Sequence, residues 1–411
     1  MKAWFAIPLW QRVVAALVLG LAVGLLWGPG AESIKWIGDL FIRAIRMLVV
    51  PLIFFSLVAG VVSIGDLKKL GGIGGRSVGL YLVTGIVSVL LGLLLGTVIE
   101  PGAGLSIVPT GELPEAAASP PGFVDMILSM VPPNIVSAMA NMEVLPMIVF
   151  SILFGIAILM AGEAGAPIGR AMDAGAVVMQ KMTAIVMELT PFGVFALMAW
   201  VAGTYGLEVL LPLAKLVAAL YAGCLIIIFV LYGGIVKLLA KVPVVPFYRG
   251  IADAMAVAFS TSSSAATLPV TLRVTQQNLG ISRRVSSFVV SLGATVNMDG
   301  TALYLGLAAI FGAQLFGVEL GAMDYVLIVV TATLGAIGAA GIPSAGLVMM
   351  GLVFTSVGVP LETIAFVAGI DRIMDMMRTT TNVTGDCAVA LAVAQMTDEL
   401  DVEEMVSADD V

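Results

Sequence analysis

Long apolar runs alternate along the chain with short polar breaks. The clearest runs are residues 13–27, 47–64, 78–98, 144–160 and 216–239. A helix needs about 20 apolar residues to cross a hydrocarbon core, so the pattern predicts an all-α, polytopic membrane protein. Residues 250–276 break it. Lys237, Lys241 and Arg249 precede this segment, and Arg273, Arg283 and Arg284 end or follow it. Cytoplasmic loops carry the excess of Lys and Arg, so the segment returns to its own side and is no simple crossing. At its centre lies "FSTSSSAATLP" (259–269), small and hydroxylated, with Pro269 where a helix should not continue. Non-helical backbone at membrane depth must be satisfied by protein or a water-filled cavity. The segment predicts a helical hairpin entering from the cytoplasm, with Ser262, Ser263 and Ser264 at its tip; an ordinary polar loop is the bland alternative.

The next span contains "GATVNMDGTALY" (293–304), where Asn297 and Asp299 interrupt an apolar helix. The pair of features then recurs. Between Asp324 and Glu362, both expected outside, "GAIGAAGIPSAG" (335–346) predicts a second hairpin entering from the opposite face. After it, "DRIMDMMRTTTNVTGD" (371–386) predicts a second polar-interrupted, broken span. Inverted repeats whose discontinuous helices meet near the midplane are the pattern of secondary transporters; a channel filter is the other use of freed carbonyls. At about 100° per residue, Asp371, Asp375, Arg378, Asn382 and Asp386 share roughly an 80° arc, with Thr379 at its border and Arg372 outside it. Ionisable groups inside a membrane are costly unless paired. The stripe therefore faces protein or a cavity. A structural Asp375–Arg378 pair is the simpler reading, but Thr379, Thr380, Thr381 and Asn382 add ligand-type oxygens beyond what a pair needs.

Apolar residues make up 60% of the 411 positions and charged ones 11%, against roughly 45–50% and about 25% in soluble domains. The net charge of −8 is concentrated in the tail "TDELDVEEMVSADDV", read as a solvated cytoplasmic tail, and nothing indicates a nucleic-acid partner. Lys68, Lys69 and Arg76 mark the inside, whereas the loop 100–125 carries acidic residues and no basic one and is read as external. Lys2 and Arg12 precede the first run without a cleavage site, which predicts a retained first span and cytoplasmic termini. The chain has no histidine, and Cys224 and Cys387 both lie in apolar segments. These facts remove a disulfide framework, zinc sites, Ser-His and Cys-His catalysis and imidazole relays. A Ser-Lys hydrolase would need a lysine near the serine cluster, and none lies there in sequence. The chain does not read as an enzyme.

Through "SSSAATLP", "NMDGT", "GIPSAG" and "RTTTNVTGD", in that order and over nearly its whole length, the chain resembles the dicarboxylate/amino acid:cation symporter family. The resemblance implies a homotrimer in the cell (inner) membrane, with eight transmembrane helices and two re-entrant hairpins per protomer, working by an elevator motion. Residues 1–70 (spans 1 and 2) and 103–205 (an external loop with spans 4 and 5) would form the scaffold. Residues 71–102 (span 3) and 206–396 (span 6, hairpin 1, span 7, hairpin 2, span 8) would form the transport domain, leaving 397–411 as the acidic tail. The hairpin around 341–346 would be the gate.

The resemblance also implies roles. Ser264 and Asn382 would hold the substrate's α-carboxylate, with Ser263 beside them at the tip. Asp375, Thr379 and the carbonyls of Ser262 and Ile342 would hold its amino group. Arg378, Thr301 and the Gly346 backbone would hold a side-chain carboxylate. Relatives that take neutral amino acids lack the arginine, and C4-dicarboxylate relatives lack the aspartate, so both together imply aspartate or glutamate. Two or three co-transported sodium ions are implied. One would use Asp386 with carbonyls of Gly293, Asn297 and Asn382; a second, carbonyls of Thr295, Ala336, Ile337 and Ala339; a third, Asp299, Asn297, Thr84 and the Tyr81 carbonyl. Gly85 stands where relatives carry a hydroxyl, Leu305 where animal members carry a protonatable glutamate, and Ser262 and Met376 where one branch or another carries a further arginine, which implies a less positive site. Proton-coupled acidic amino acid or C4-dicarboxylate symport, sodium-coupled neutral amino acid symport and, from a different class, an anion channel are the alternatives.

Overall fold

The computed structural model of the chain describes residues 7, 9–63, 72–104, 128, 131–141, 144–339, 341 and 344–401. Lys68, Lys69, the loop positions 105–125 and the tail beyond Asp401 lie outside them. Among the described residues there is no strand, only an isolated bridge between Ile281 and Leu400. The helices are α1 Leu9–Trp27, α2 Lys35–Ser63, α3 Ile73–Ile99, α4 Ile135–Ala140, α5 Val144–Met160, α6 Ala166–Met187, α7 Thr190–Tyr205 and α8 Leu210–Ile226, which continues through π-helical turns to Ala240. There follow α9 Val244–Gly250, α10 Ala252–Thr261, α11 Ser264–Gln277, α12 Arg283–Val296, α13 Asp299–Phe316, α14 Ala322–Gly338, α15 Ala345–Ser356, α16 Thr363–Ala368 and α17 Asp371–Met396. Among the described residues, Gln11–Phe41, Ile73–Ile99, Thr190–Ala240 and Arg283–Phe316 are long and apolar enough to cross a membrane. The chain builds an all-helical integral membrane protein.

The helices pack in two groups. In one, α1 lies along α7, and α2 packs on α5, α6 and α7. In the other, α3 lies along α13, while α8, α10, α11, α12 and α13 all pack on α17. Lipid tails are as apolar as the side chains, so helices associate in a bilayer through close packing at small residues. The "GLLLG" pair of α3 shows this. A side chain on Gly92 would strike the Leu303 carbonyl, and a Cβ on Gly96 would stand 2.7 Å from that of Ile310. The seam fixes α13, and with it Asp299, against the Thr84 face of α3.

Helices α10 and α11 form the first hairpin. The turn is made by Ser262, whose φ of 53° is left-handed, and by the Ser263 hydroxyl, which accepts the Ala266 N–H and caps α11. Pro269 does not end the helix as expected, because α11 runs straight through it. A proline removes one N–H but keeps a helical φ, and neighbouring elements can absorb that loss; the break is set by the turn and cap instead. Helices α14 and α15 form the second hairpin. The tips touch: the Ser263 hydroxyl donates to the Gly341 carbonyl at 2.8 Å, and the Ala265 N–H donates to the same oxygen at 3.1 Å.

The helix break between α12 and α13 falls at Asn297 and Met298, whose backbone leaves the helical region. The second expected break is corrected: α17 is continuous from Asp371 to Met396, and the discontinuity lies upstream at Gly369 and Ile370. Thr380, Thr381 and Thr384 return their hydroxyls to the carbonyls of Met376, Met377 and Thr380 at 2.9, 3.0 and 2.8 Å. The charges pair sideways. These threonine hydroxyls bond back to carbonyls one turn earlier while the helix runs on unbroken.

Candidate functional site

Between Asp371 and Ala394 every residue of α17 except Ile373 and Met376 is buried, so its polar side chains depend on protein partners. Arg378 Nη2 donates to Asp371 Oδ1 at 2.8 Å and to Asp375 Oδ1 at 2.7 Å. The guanidinium carbon lies 3.9 Å from the centre of the Tyr304 ring, and the Tyr304 hydroxyl donates to Asp371 Oδ1 at 3.0 Å. The other oxygen of Asp375 accepts the backbone N–H of Ser344, on the second hairpin, at 2.8 Å. The ion pair of the simpler reading is therefore present, and Asp371, to which the sequence assigned no role, is part of it.

Yet the pair leaves capacity over. Nε and Nη1 of Arg378 are buried without a hydrogen-bond partner. Unmet buried donors carry a desolvation cost of about 1–3 kcal/mol, more when charged. A Cβ on Gly346 would stand 2.6 Å from Nη1 and 3.1 Å from the Tyr304 ring, so only glycine leaves the guanidinium its place. This geometry suits a carboxylate, which a guanidinium takes through charge-assisted bonds.

Ser262, Ser264, Thr301, Thr379 and Asn382 are all buried, and the Ser262 hydroxyl has no partner. Asn382 Oδ1 accepts the Gly300 N–H at 2.8 Å, satisfying the first turn of α13 beside the break. Its amide nitrogen meets Met298 Sδ at 3.2 Å, a weak acceptor that leaves donor strength for an anion. Ser263 is engaged at the contact between hairpins. Ile342 lies outside the described residues.

Arg372, which falls outside the stripe, is buried as well. Its Nη2 donates to the Thr261 carbonyl at 3.3 Å, at the C-terminal end of α10, where the helix dipole favours a cation. Its Nε and Nη1 have no hydrogen-bond partner. The expected deficit of positive charge around Ser262 and Met376 is thus offset by a guanidinium at the first hairpin's tip. The residue points off the stripe, but α17 is enclosed, and that flank meets α10.

The cation candidates gather around the break. Asn297 Nδ2 donates to Asp386 Oδ1 at 2.9 Å and to the Asn382 carbonyl at 3.0 Å. A side chain on Gly293 would collide with the Asp386 carboxylate. Asp299 Oδ2 accepts the Tyr232 hydroxyl at 2.6 Å, and on the facing α3 the Thr84 hydroxyl donates to the Tyr81 carbonyl at 3.2 Å. The Tyr81 hydroxyl itself donates to the Val289 carbonyl at 2.9 Å. Asn297 Oδ1 is buried without a partner. Further out, Thr295 Oγ1 donates to the Leu292 carbonyl, Ala336 and Ala339 are joined by a backbone bond, and Ile337 lies on the same turn. No cluster of three His, Cys, Asp or Glu residues occurs among the described residues. Single carboxylates surrounded by amide, hydroxyl and carbonyl oxygens suit a hard cation. Tyr232 and Tyr304 were missed in the sequence, although a tyrosine inside an apolar span announces a hydroxyl in need of a partner.

Residues 9–396 match the sodium:dicarboxylate symporter family. The chain is 34% identical over 401 residues to the proton/sodium-glutamate symport protein of Geobacillus stearothermophilus, covering 94% of this chain and 93% of that one. It is 36% identical over 410 residues to the proton/glutamate-aspartate symporter of Escherichia coli, covering 95% and 93%. It is 32% identical over 414 residues to a C4-dicarboxylate transport protein of Rhizobium johnstonii, covering 99% and 93%. The chain belongs to the sodium:dicarboxylate symporter family.

Proposed function

We propose that this protein is a secondary active transporter that carries aspartate or glutamate into the cell together with sodium. The observation that carries the reading is the buried Arg378, paired with Asp375 yet holding unpartnered donors beside Gly346. A guanidinium for a distal carboxylate and a carboxylate for an ammonium, one helical turn apart, together select an acidic amino acid over a neutral one or a plain dicarboxylate. Ser262, Ser264, Thr301, Thr379 and Asn382 complete the substrate site, with Gly346 and Ile342 contributing backbone. Asp386 and Asp299, with Asn297 between them, hold co-transported sodium, and the second hairpin closes over the site through contacts such as Ser344 to Asp375.

The two packing groups support a division into a scaffold (1–70 and 103–205) and a moving part (71–102 and 206–396), working as an elevator with eight spans, in a homotrimer with cytoplasmic termini. A second reading, proton coupling, is favoured by the names of relatives from Escherichia coli and Bacillus subtilis, both proton/glutamate-aspartate symporters. Uptake of labelled aspartate, glutamate, succinate and serine into proteoliposomes, under sodium and pH gradients applied separately, tests both. Aspartate uptake driven by sodium alone is expected. Uptake driven only by a pH gradient would establish the second reading, and no uptake of acidic amino acids would overturn the first.

A further inference from the structure

Most buried threonines here spend their hydroxyls on the helix ladder. Thr331, on α14, bonds the Leu327 carbonyl at 2.6 Å, and Thr271, Thr275 and Thr381 do likewise in their own helices. Thr333, two residues on from Thr331, does not: its Oγ1 is buried and has no partner. Opposite it is Gly85. A Cβ there would stand 3.7 Å from Asp299 Oδ1 and 4.0 Å from Thr333 Cγ2, both ordinary contact distances. The missing side chain therefore leaves a gap bounded by α3, the Asp299 carboxylate and the second hairpin. Asp299 Oδ2 is committed to Tyr232, while Asn297 Oδ1, two residues before Asp299, is also buried and unpartnered. The Asp299 carboxylate and the Thr333 side chain border one gap, and together with the unpartnered Asn297 amide oxygen nearby in sequence they are the donor types that a hard cation takes.

We propose that the Thr333 hydroxyl is a ligand of the cation held at Asp299, standing in for the side chain that Gly85 lacks. A turn of about 120° about χ1 carries Oγ1 into the position now held by Cγ2, facing the gap, and moves the methyl to the third staggered position. The inference rests on the cation-coupled reading and deepens it. The cation then fastens the first arm of the second hairpin to α3 and α13. By linkage, filling the cation site stabilises the docked hairpin, and the docked hairpin raises cation affinity by the same factor.

A double-mutant cycle tests this. Half-saturating sodium is measured twice, from aspartate uptake in proteoliposomes and from the rise in melting temperature of the purified protein in sodium against choline. Thr333→Val, which keeps the shape and loses the oxygen, is expected to raise half-saturating sodium about fivefold, the worth of one ligand bond of about 1 kcal/mol. Thr333→Ser is expected to rescue it to within about twofold, and so is adding Gly85→Ser to Thr333→Val. A sodium response unchanged in Thr333→Val, or no rescue by either serine, overturns the inference and leaves the transport reading standing. A wild type without any sodium response in either measurement overturns the reading beneath it.

Discussion

Arg378 and Asp375 meet inside α17 with Nη2 and Oδ1 2.7 Å apart, and both side chains are almost fully enclosed. Asp375 is a shared acceptor, since its second oxygen holds the Ser344 N–H of the second hairpin. On the proposed reading, an incoming ammonium would meet a carboxylate already aligned by the helix and by the second hairpin.

Replacing that charge separates the two arms of substrate recognition. Asp375→Asn keeps the shape but loses the ammonium partner. Aspartate kcat/KM is expected to fall by about 100-fold, as the loss of a charge-assisted bond worth roughly 3 kcal/mol implies. Succinate, which has no ammonium, should still compete. A competition panel in proteoliposomes reads both, and unchanged aspartate uptake would place the ammonium elsewhere.

Gly346 gives a test that removes no polar group. Its absent side chain makes room for Arg378 Nη1 and the Tyr304 ring. Gly346→Ala is expected to push the guanidinium aside, at a steric cost of about 1–3 kcal/mol. The aspartate KM should rise at least tenfold, while the sodium-dependent rise in melting temperature of the substrate-free protein stays intact. Wild-type KM would show that substrate does not approach Arg378 from this side.

The hairpins and the first helix break were legible because their causes are local. A serine cluster makes the left-handed turn and the cap, and Asn297 with Asp299 marks the break in an apolar run. The continuity of α17 was not legible. Whether a polar stripe breaks a helix depends on what faces it, and besides Arg378 within α17, Asp371 is held by Tyr304, just as Asp299 is held by Tyr232, each tyrosine 67 residues away. Arg372 shows the same limit. Helical geometry put it off the stripe correctly, but only the packing of α10 on α17 turns that flank into an interior.

Arg372 also corrects the charge balance. Asp371, Asp375 and Arg378 together carry one net negative charge, which disfavours a substrate with two carboxylates. A buried fourth charge, held on the Thr261 carbonyl, neutralises the cluster. Arg372→Gln keeps a donor for that carbonyl and removes the charge. The aspartate KM is expected to rise about five- to tenfold, an effect of roughly 1 kcal/mol, with a smaller change in maximal rate. A lowered melting temperature with wild-type KM would make Arg372 a strut for the hairpin and nothing more.

Gly293 separates cation binding from substrate binding. It lies on the last turn of α12, where the Asp386 carboxylate and the Tyr81 hydroxyl crowd its backbone. Asp375 and Arg378, the proposed substrate groups, lie two to three turns away from Asp386 along α17. Gly293→Ala forces Asp386 from its bond with Asn297, whose amide would then keep only the Asn382 carbonyl. Half-saturating sodium is expected to rise about tenfold, equivalent to about 1.4 kcal/mol. The aspartate KM measured at saturating sodium should stay within about twofold of wild type, because the cation site is then filled and the groups that touch substrate have not moved. Uptake assays across a sodium series at fixed aspartate, and the reverse, resolve the two. A shift in aspartate KM that saturating sodium does not correct would mean that Asp386 acts on the substrate site directly.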